Sequence, residues 1–252
     1  MNKDELNLSI CSYNLMWKAM INQNLEAKNI LLNIYYVHNY YNPDIYCFQE
    51  VVNPELILNI YNKKEFNSYL GFSDPEFNLT IWNKTKLKRI LVKEGEFEKG
   101  RPFVIILFYD KIRQNYFLFI NIHAGHNKDT KKSIFEPINN TIDKISSFLE
   151  KYEINRVIVV GDFNREMINE LNSNLNNKLS IKVLNKKYTF KIDENKNKTC
   201  CSLVGYGHKY NYDQVIDSYK KPIITKTMNT ESWYANPSSD HIMIISILKN
   251  II

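Results

Sequence analysis

A chain of 252 residues with 44% hydrophobic side chains and a formal charge of +6 suits one large α/β domain, 1–252, and is too apolar to be disordered. Its longest apolar run, Phe103 to Tyr109, is of strand length, which excludes a membrane-spanning helix. The excess of Lys and Arg favours anionic partners such as nucleic acid, phosphoinositides or acidic lipid surfaces, although an ordinary Lys-rich surface carries the same charge.

Met1 to Asn7 is polar and acidic, unlike a secretory signal or transit peptide, so an intracellular protein, cytoplasmic or nuclear, is expected. Leu8 to Tyr13 alternates as a strand and closes on Asn14. Ile30, Ile34, Val37 and Tyr41 predict an amphipathic helix over Glu26 to Tyr41, stopped by Pro43-Asp44. Ile45 to Phe48 reads as a buried strand ending at Gln49-Glu50. Thr80 to Trp82, Arg89 to Phe97, Phe103 to Tyr109 and Tyr116 to Ile122 follow as strands on short turns. Ile134, Ile138, Ile142, Ile145, Leu149 and Tyr152 predict one long helix from about Lys131 to Tyr152. Arg156 to Val160 is a short β-branched strand, and Arg165 to Lys178 is expected to be helical. Ser180 to Leu184, Tyr188 to Phe190, Asp213 to Ile216, Ile223 to Lys226 and Ile242 to Leu248 read as strands.

Cys11 and Cys47 fall inside predicted strands as small core residues. Cys200 and Cys201 are adjacent, a poor geometry for a mutual bridge, and a reducing compartment is expected. Helices alternate with strands, yet several strands follow one another directly. That mixture favours two packed sheets with helices outside.

The most informative segment is Gly161-Asp162-Phe163-Asn164, directly after Val157-Ile158-Val159-Val160. A buried strand that delivers a carboxylate and a carboxamide at its end must satisfy both, since each costs several kcal/mol unpaired. A hard metal ion and a phosphate would do so; an ordinary turn exit is the plainer alternative. The same signature recurs at Asn14, Glu50, His123, Asp213 and Asp240-His241. Four acids, two amides and two histidines at strand rims exceed what turn chemistry requires.

In their order, Ser12-Tyr13-Asn14, Phe48-Gln49-Glu50, Asn121-Ile122-His123, Gly161-Asp162-Phe163-Asn164, Tyr212-Asp213 and Ser239-Asp240-His241 resemble the endonuclease/exonuclease/phosphatase superfamily, the deoxyribonuclease I-like proteins. Gly100-Arg101-Pro102 resembles its Arg-containing segment. The resemblance runs from Leu8 to Leu248. It implies a four-layer α/β/β/α sandwich with two packed mixed sheets, a divalent metal and phosphoester cleavage.

By that resemblance Glu50 is the principal metal ligand, with Asp240 and Asn14 nearby. Oxygen donors of this kind suit Mg²⁺, with Mn²⁺ as the alternative. The resemblance makes His241 the base or phosphate-contacting imidazole, oriented by Asp213. Asp162 orients or deprotonates the attacking water, Asn164 holds a non-bridging oxygen, and His123 and Arg101 contact the phosphate. Trp17, Trp233 and Tyr234 fall in expected substrate loops, where the last two would either stack bases or pack against the core.

The leading expectation is a Mg²⁺-dependent phosphodiesterase or nuclease, monomeric, acting on nucleic acid or a nucleotide derivative. An inositol-phosphate or sphingomyelin-type phosphoesterase is the alternative, and a non-catalytic binding member of the fold is a third. Phe163, Arg165-Glu166 and Tyr212-Asp213-Gln214 depart from the inositol polyphosphate phosphatase and apurinic endonuclease patterns.

Overall fold

The computed structural model describes residues 7–22, 25–126, 133–167, 179–192, 198–200, 210–219, 223–228, 239 and 241–249. In chain order the elements are β1 Leu8–Asn14, α1 Trp17–Asn22, α2 Leu25–Tyr41, β2 Ile45–Val51, α3 Pro54–Leu58, β3 Phe66–Ser73, β4 Glu76–Asn83, β5 Leu87–Glu96, β6 Pro102–Asp110 and β7 Asn115–His123. There follow α4 Glu136–Asp143, α5 Ser146–Leu149, β8 Ile154–Asp162, β9 Ser180–Val183, β10 Lys186–Thr189, β11 Lys191–Ile192, β12 Asp213–Asp217, β13 Ile223–Thr227 and β14 Ile244–Leu248. Among the described residues no helix is long and apolar enough to cross a membrane.

Two six-stranded sheets form, with strand orders β13-β14-β1-β2-β4-β3 and β11-β12-β8-β7-β6-β5. Each holds one parallel pair at its centre, β1 with β2 and β7 with β8, among antiparallel neighbours. Each parallel pair is joined through helices, α2 in the first sheet and α4 with α5 in the second. β9 and β10 pair separately as a two-stranded ribbon.

Side-chain alternation produces the layers. Along β7, Phe117 and Phe119 join Ile10, Ile45, Cys47 and Trp82 of the first sheet in the core between the sheets. Their neighbours Leu118 and Ile120 pack outward with Ile138, Ile142 and Leu149 of α4 and α5. On the other sheet Cys11, Tyr46 and Phe48 pack outward with Ile30, Ile34 and Val37 of α2. Period-two strands covered on both faces yield a four-layer α/β/β/α sandwich with two mixed sheets.

Further along the inter-sheet faces the residues turn polar. Gln49 Nε2 donates to Asn121 Oδ1 across the two sheets (2.8 Å), and Asn121 Nδ2 donates to Thr80 Oγ1 (3.1 Å). Asn78 Nδ2 donates to the Pro102 carbonyl (2.8 Å). Gln49, Asn78, Thr80 and Asn121 are all fully buried. A buried amide left without a partner is costly, so this brace specifies how the sheets meet.

Some expectations change. The long helix over Lys131 to Tyr152 is two short helices, and its first two residues lie outside the described set. Pro137 sits in the first turn of α4, where its missing N–H costs nothing. Ser146 Oγ donates to the Asp143 carbonyl (2.8 Å), diverting an acceptor from the helical ladder where α4 stops. β3, β11, α1 and α3 are additional to the expected elements; β3 alternates only partly, its middle residues Ser68 to Leu70 being half-exposed. Most of the helix expected over Arg165 to Lys178 lies outside the described residues. Cys200 is disulfide-bonded whereas Cys11 and Cys47 are free. That corrects the expectation of four reduced cysteines and removes the cysteine argument for a reducing compartment.

Candidate active site

The same alternation that builds the inter-sheet core delivers the polar cluster. Following every second residue, β7 runs Phe117, Phe119, Asn121, His123; β8 runs Ile158, Val160, Asp162; and β4 runs backwards from Trp82 through Thr80 and Asn78 to Glu76. β1 ends the series Leu8, Ile10, Ser12 at Asn14, and β12 starts it at Asp213. The ends of several strands thereby meet at one edge of the inter-sheet space.

Glu50 is one step out of phase with Gln49 and needs a different device. The β2–β4 register shifts between Phe48 and Val51, and Glu50 adopts a left-handed φ of 57°. This irregularity redirects its carboxylate to the shared edge, at a cost on the order of 1–2 kcal/mol for a non-glycine residue. Asn164 also has positive φ, 51°. It therefore sits in a turn and not on an extended continuation of β8. Gly161 has φ 133°, and a Cβ there would lie 2.1 Å from the Ile122 carbonyl oxygen, so glycine is required for β8 to approach β7.

Asp162 occupies the centre of the cluster. Its Oδ2 accepts from Asn14 Nδ2 (2.9 Å) and lies 3.7 Å from the Nε2 atoms of both His123 and His241. Its Oδ1 accepts the Asn164 backbone N–H (2.8 Å). Burial raises the Asp162 carboxyl, but His241, His123 and those donors outweigh it and hold the group below its usual value.

Each histidine has its own carboxylate. His241 Nδ1 is 2.7 Å from Asp213 Oδ2, and His123 Nδ1 is 2.9 Å from Glu76 Oε2. Both contacts assign a proton to Nδ1 and turn Nε2 toward Asp162. Burial pushes Asp213 up to about 6 against the opposing pull of His241. Arg101 Nη1 lies 2.9 Å from His123 Nε2 and 3.3 Å from Glu76 Oε2.

Glu50 Oε1 accepts from Asn14 Nδ2 (3.0 Å) and stands 3.5 Å from His123 Nε2; its Oε2 accepts the Trp17 backbone N–H (2.7 Å). Burial raises Glu50, but His123, the Trp17 amide, Asn14 and His241 hold it below its ordinary value. Asn14 Oδ1 accepts the Met16 N–H (3.0 Å), which fixes the amide orientation and aims Nδ2 at the two carboxylates. Asn164 Nδ2 donates to the Ala124 carbonyl (2.7 Å).

Asn14, Glu50, Arg101, His123, Asp162, Asn164, Asp213 and His241 thus come together, and Trp17 joins through its backbone. Asp240, Trp233 and Tyr234 lie outside the described residues. Glu76 and Cys200 are additions to the expected set: Cys200 Sγ is 3.4 Å from His241 Nε2. Glu76 carries the rim signal in reverse, because it opens an apolar strand after Asp74-Pro75.

Two groups, Glu50–Glu76–His123 and Asp162–Asp213–His241, each bring three ligand atoms within 4.8 Å of one another, close enough to hold a metal ion. Oxygen and imidazole donors without free thiolates fit a hard divalent cation.

The sandwich as a whole superposes on solved structures. The chain shares the fold of the endonuclease/exonuclease/phosphatase superfamily. The human Nocturnin catalytic domain with bound sulfate superposes over 98% of this chain and 94% of its own at 13% identity, TM-score 0.65. A Bacteroides thetaiotaomicron mannosyl-6-phosphatase matches over 96% and 99% at 14% identity, TM-score 0.68. D. rerio TDP2 complexed with a single strand DNA product matches over 97% and 99% at 14% identity, TM-score 0.63. No family model matches the sequence, and no curated protein matches it. At such low identity these structures show the shared fold alone, so the function is argued from the chain's own residues.

Proposed function

We propose that the chain is a divalent-metal-dependent phosphodiesterase acting on nucleic acid or a nucleotide derivative. One observation carries the reading: a buried carboxylate, Asp162, lies equidistant from two imidazoles, each oriented by its own acid. Phosphoester hydrolysis requires a positioned water, charge neutralisation at the phosphoryl oxygens and proton delivery to the leaving oxygen.

Asp162, held ionised, orients the attacking water and accepts its proton. His241, fixed by Asp213, presents an N–H donor to the phosphoryl oxygens; His123, fixed by Glu76, meets the phosphate together with the neighbouring Arg101 guanidinium, which adds N–H donors and a fixed positive charge. Asn164 holds a non-bridging oxygen through an amide whose position is set by Ala124. Glu50 would hold the cation, and by the sequence resemblance Asp240 would contribute a second carboxylate; a ligand role for Asn14 would use the second lone pair of Oδ1. Mg²⁺ or Mn²⁺ supplies neutralisation of the phosphoryl charge when bound.

The mannosyl-6-phosphatase likeness favours a second reading, a phosphatase for a sugar or inositol phosphate. A substrate panel of single strands, duplex, abasic duplex, RNA, 5′-linked adducts and sugar or inositol phosphates, with Mg²⁺, Mn²⁺ or EDTA, decides between them. Turnover of a nucleic acid, abolished by EDTA, is expected. A metal-dependent preference for sugar phosphates overturns the leading reading.

A further inference from the structure

Beside Asp213 the chain carries a pair of tyrosines that the chemistry above does not use. The Tyr210 and Tyr212 rings stack with centroids 5.0 Å apart and planes inclined by 13°. Tyr210 is the outer ring, 43% exposed, while Tyr212 is half-buried. Exposed aromatic pairs are not sites in themselves: Tyr36 and Tyr40 of α2 stack at 4.0 Å as neighbours one helical turn apart.

The difference lies in what holds the pair and what it adjoins. The Tyr210 carbonyl accepts from both Thr199 N (2.8 Å) and Cys200 N (2.9 Å), and Cys200 in turn bridges to His241. The Tyr212 carbonyl accepts the Phe163 N–H (2.9 Å), tying the second ring to the turn after Asp162. Between them, Asn211 N donates to Glu166 Oε1 (3.4 Å), and its carbonyl accepts from Gln214 Nε2. Every residue of this short turn is thus hydrogen-bonded to segments that border Asp162, Asp213 or His241. The Tyr212 phenol lies near enough to Asp162 and Glu166 for their charges to help burial and Tyr210 hold it neutral.

A rigid aromatic surface loses little conformational entropy when a planar ring settles on it. We propose that Tyr210, backed by Tyr212, is a stacking platform for an unpaired nucleobase adjoining the scissile phosphate. Specificity then comes from a planar aromatic ring neighbouring the phosphoester, which a sugar or inositol phosphate, with its saturated ring, lacks. The site accordingly selects single-stranded or locally unpaired nucleic acid, since a base inside a duplex has no free face to offer. The proposal rests on the hydrolase reading above and narrows its substrate.

The test separates the two. Binding is measured in the Asp162→Ala chain, which removes turnover, with Mg²⁺ present and a single-stranded oligonucleotide carrying 2-aminopurine as the probe. Stacking on Tyr210 is expected to quench the probe. Tyr210→Ala is expected to raise Kd about tenfold and relieve most of the quenching, the size expected for one base stack. Tyr210→Phe should retain both, and Tyr40→Ala should behave as the parent. Tyr210→Leu keeps the bulk without the π-face and should also lose the quench, covering a loosened turn in the alanine variant. Unchanged Kd and quenching in Tyr210→Ala overturn the platform, while cleavage of oligonucleotides by the unmodified chain still upholds the hydrolase reading. Tyr210-dependent quenching with no nucleic acid cleaved upholds the platform and overturns the hydrolase reading. Absence of oligonucleotide binding overturns the platform, and absence of cleavage as well overturns both.

Discussion

The two histidine–carboxylate pairs are built alike and set in different surroundings. Both cross between the sheets, in opposite senses. His123 belongs to β7 of one sheet and reaches Glu76 of β4 on the other, whereas His241 precedes β14 and reaches Asp213 of β12. Asp213 is sealed, its side chain 0% exposed, and the charge it carries is opposed by burial. Glu76 keeps 11% exposure and shares its carboxylate with Arg101. Similar hydrogen-bond lengths therefore conceal unequal sensitivity. The sealed pair depends on ionisation, and the open pair has a permanent cation to buffer it.

The most damaging way to break this comparison is to remove what both pairs face. Asp162→Ala should lower kcat by roughly 10²–10⁴ while leaving the circular dichroism spectrum unchanged. His241→Ala should cost a similar factor, and full activity in either variant removes the catalytic assignment.

Asp213→Asn comes next, with a loss of about 10²-fold. The ionised carboxylate accepts His241 Nδ1–H more strongly than a neutral carboxyl or an amide does, and it alone adds a charge that supports the imidazolium. With Asp213 pushed up to about 6, kcat/KM of the unmodified chain should rise with pH through that value. The asparagine variant should lose this acid limb. The stability effect has the opposite sign. A carboxyl raised in the folded state favours folding when protonated, fully below the ordinary value of 3.8 and decreasingly as pH rises through about 6. Melting temperature of the unmodified chain relative to Asp213→Asn should therefore fall between about pH 4 and pH 7.

Glu76→Gln sharpens the contrast. With Arg101 still beside His123, the loss should be about tenfold, less than at Asp213. Equal losses at the two sites in steady-state kinetics would make the pairs equivalent. Arg101→Lys should have the smallest effect, a few-fold rise in KM, because a point charge survives and the planar fork does not.

The sequence made one half of this arrangement more legible than the other. Asn14, His123 and Asp162 end apolar strands, so alternation alone marks them as rim residues on the inter-sheet face. Glu76 stands on the same face but opens its strand behind a turn-forming Asp74-Pro75, and the strand expected from Thr80 to Trp82 begins too late to include it. Glu50 was visible as a strand-terminal acid, yet the irregularity that redirects it depends on pairing with β4, a non-local event. The antiparallel register that sets Asp213 opposite Asp162 is likewise a property of two segments far apart in the chain, and only folding expresses it. The long helix failed for a local reason: its apolar spacing continued past Asp143, while a serine hydroxyl ended the ladder.

The buried amides behind the cluster carry a consequence for mechanical tolerance. Two greasy surfaces can slide over one another at little cost, because apolar contact is indifferent to direction. Gln49, Asn121, Thr80 and Asn78 act instead as dowels, since a small lateral slip strands several hydrogen-bonding groups in a dry interior. Catalytic alignment in such a joint should fail through loosened dowels well before the oily interface separates.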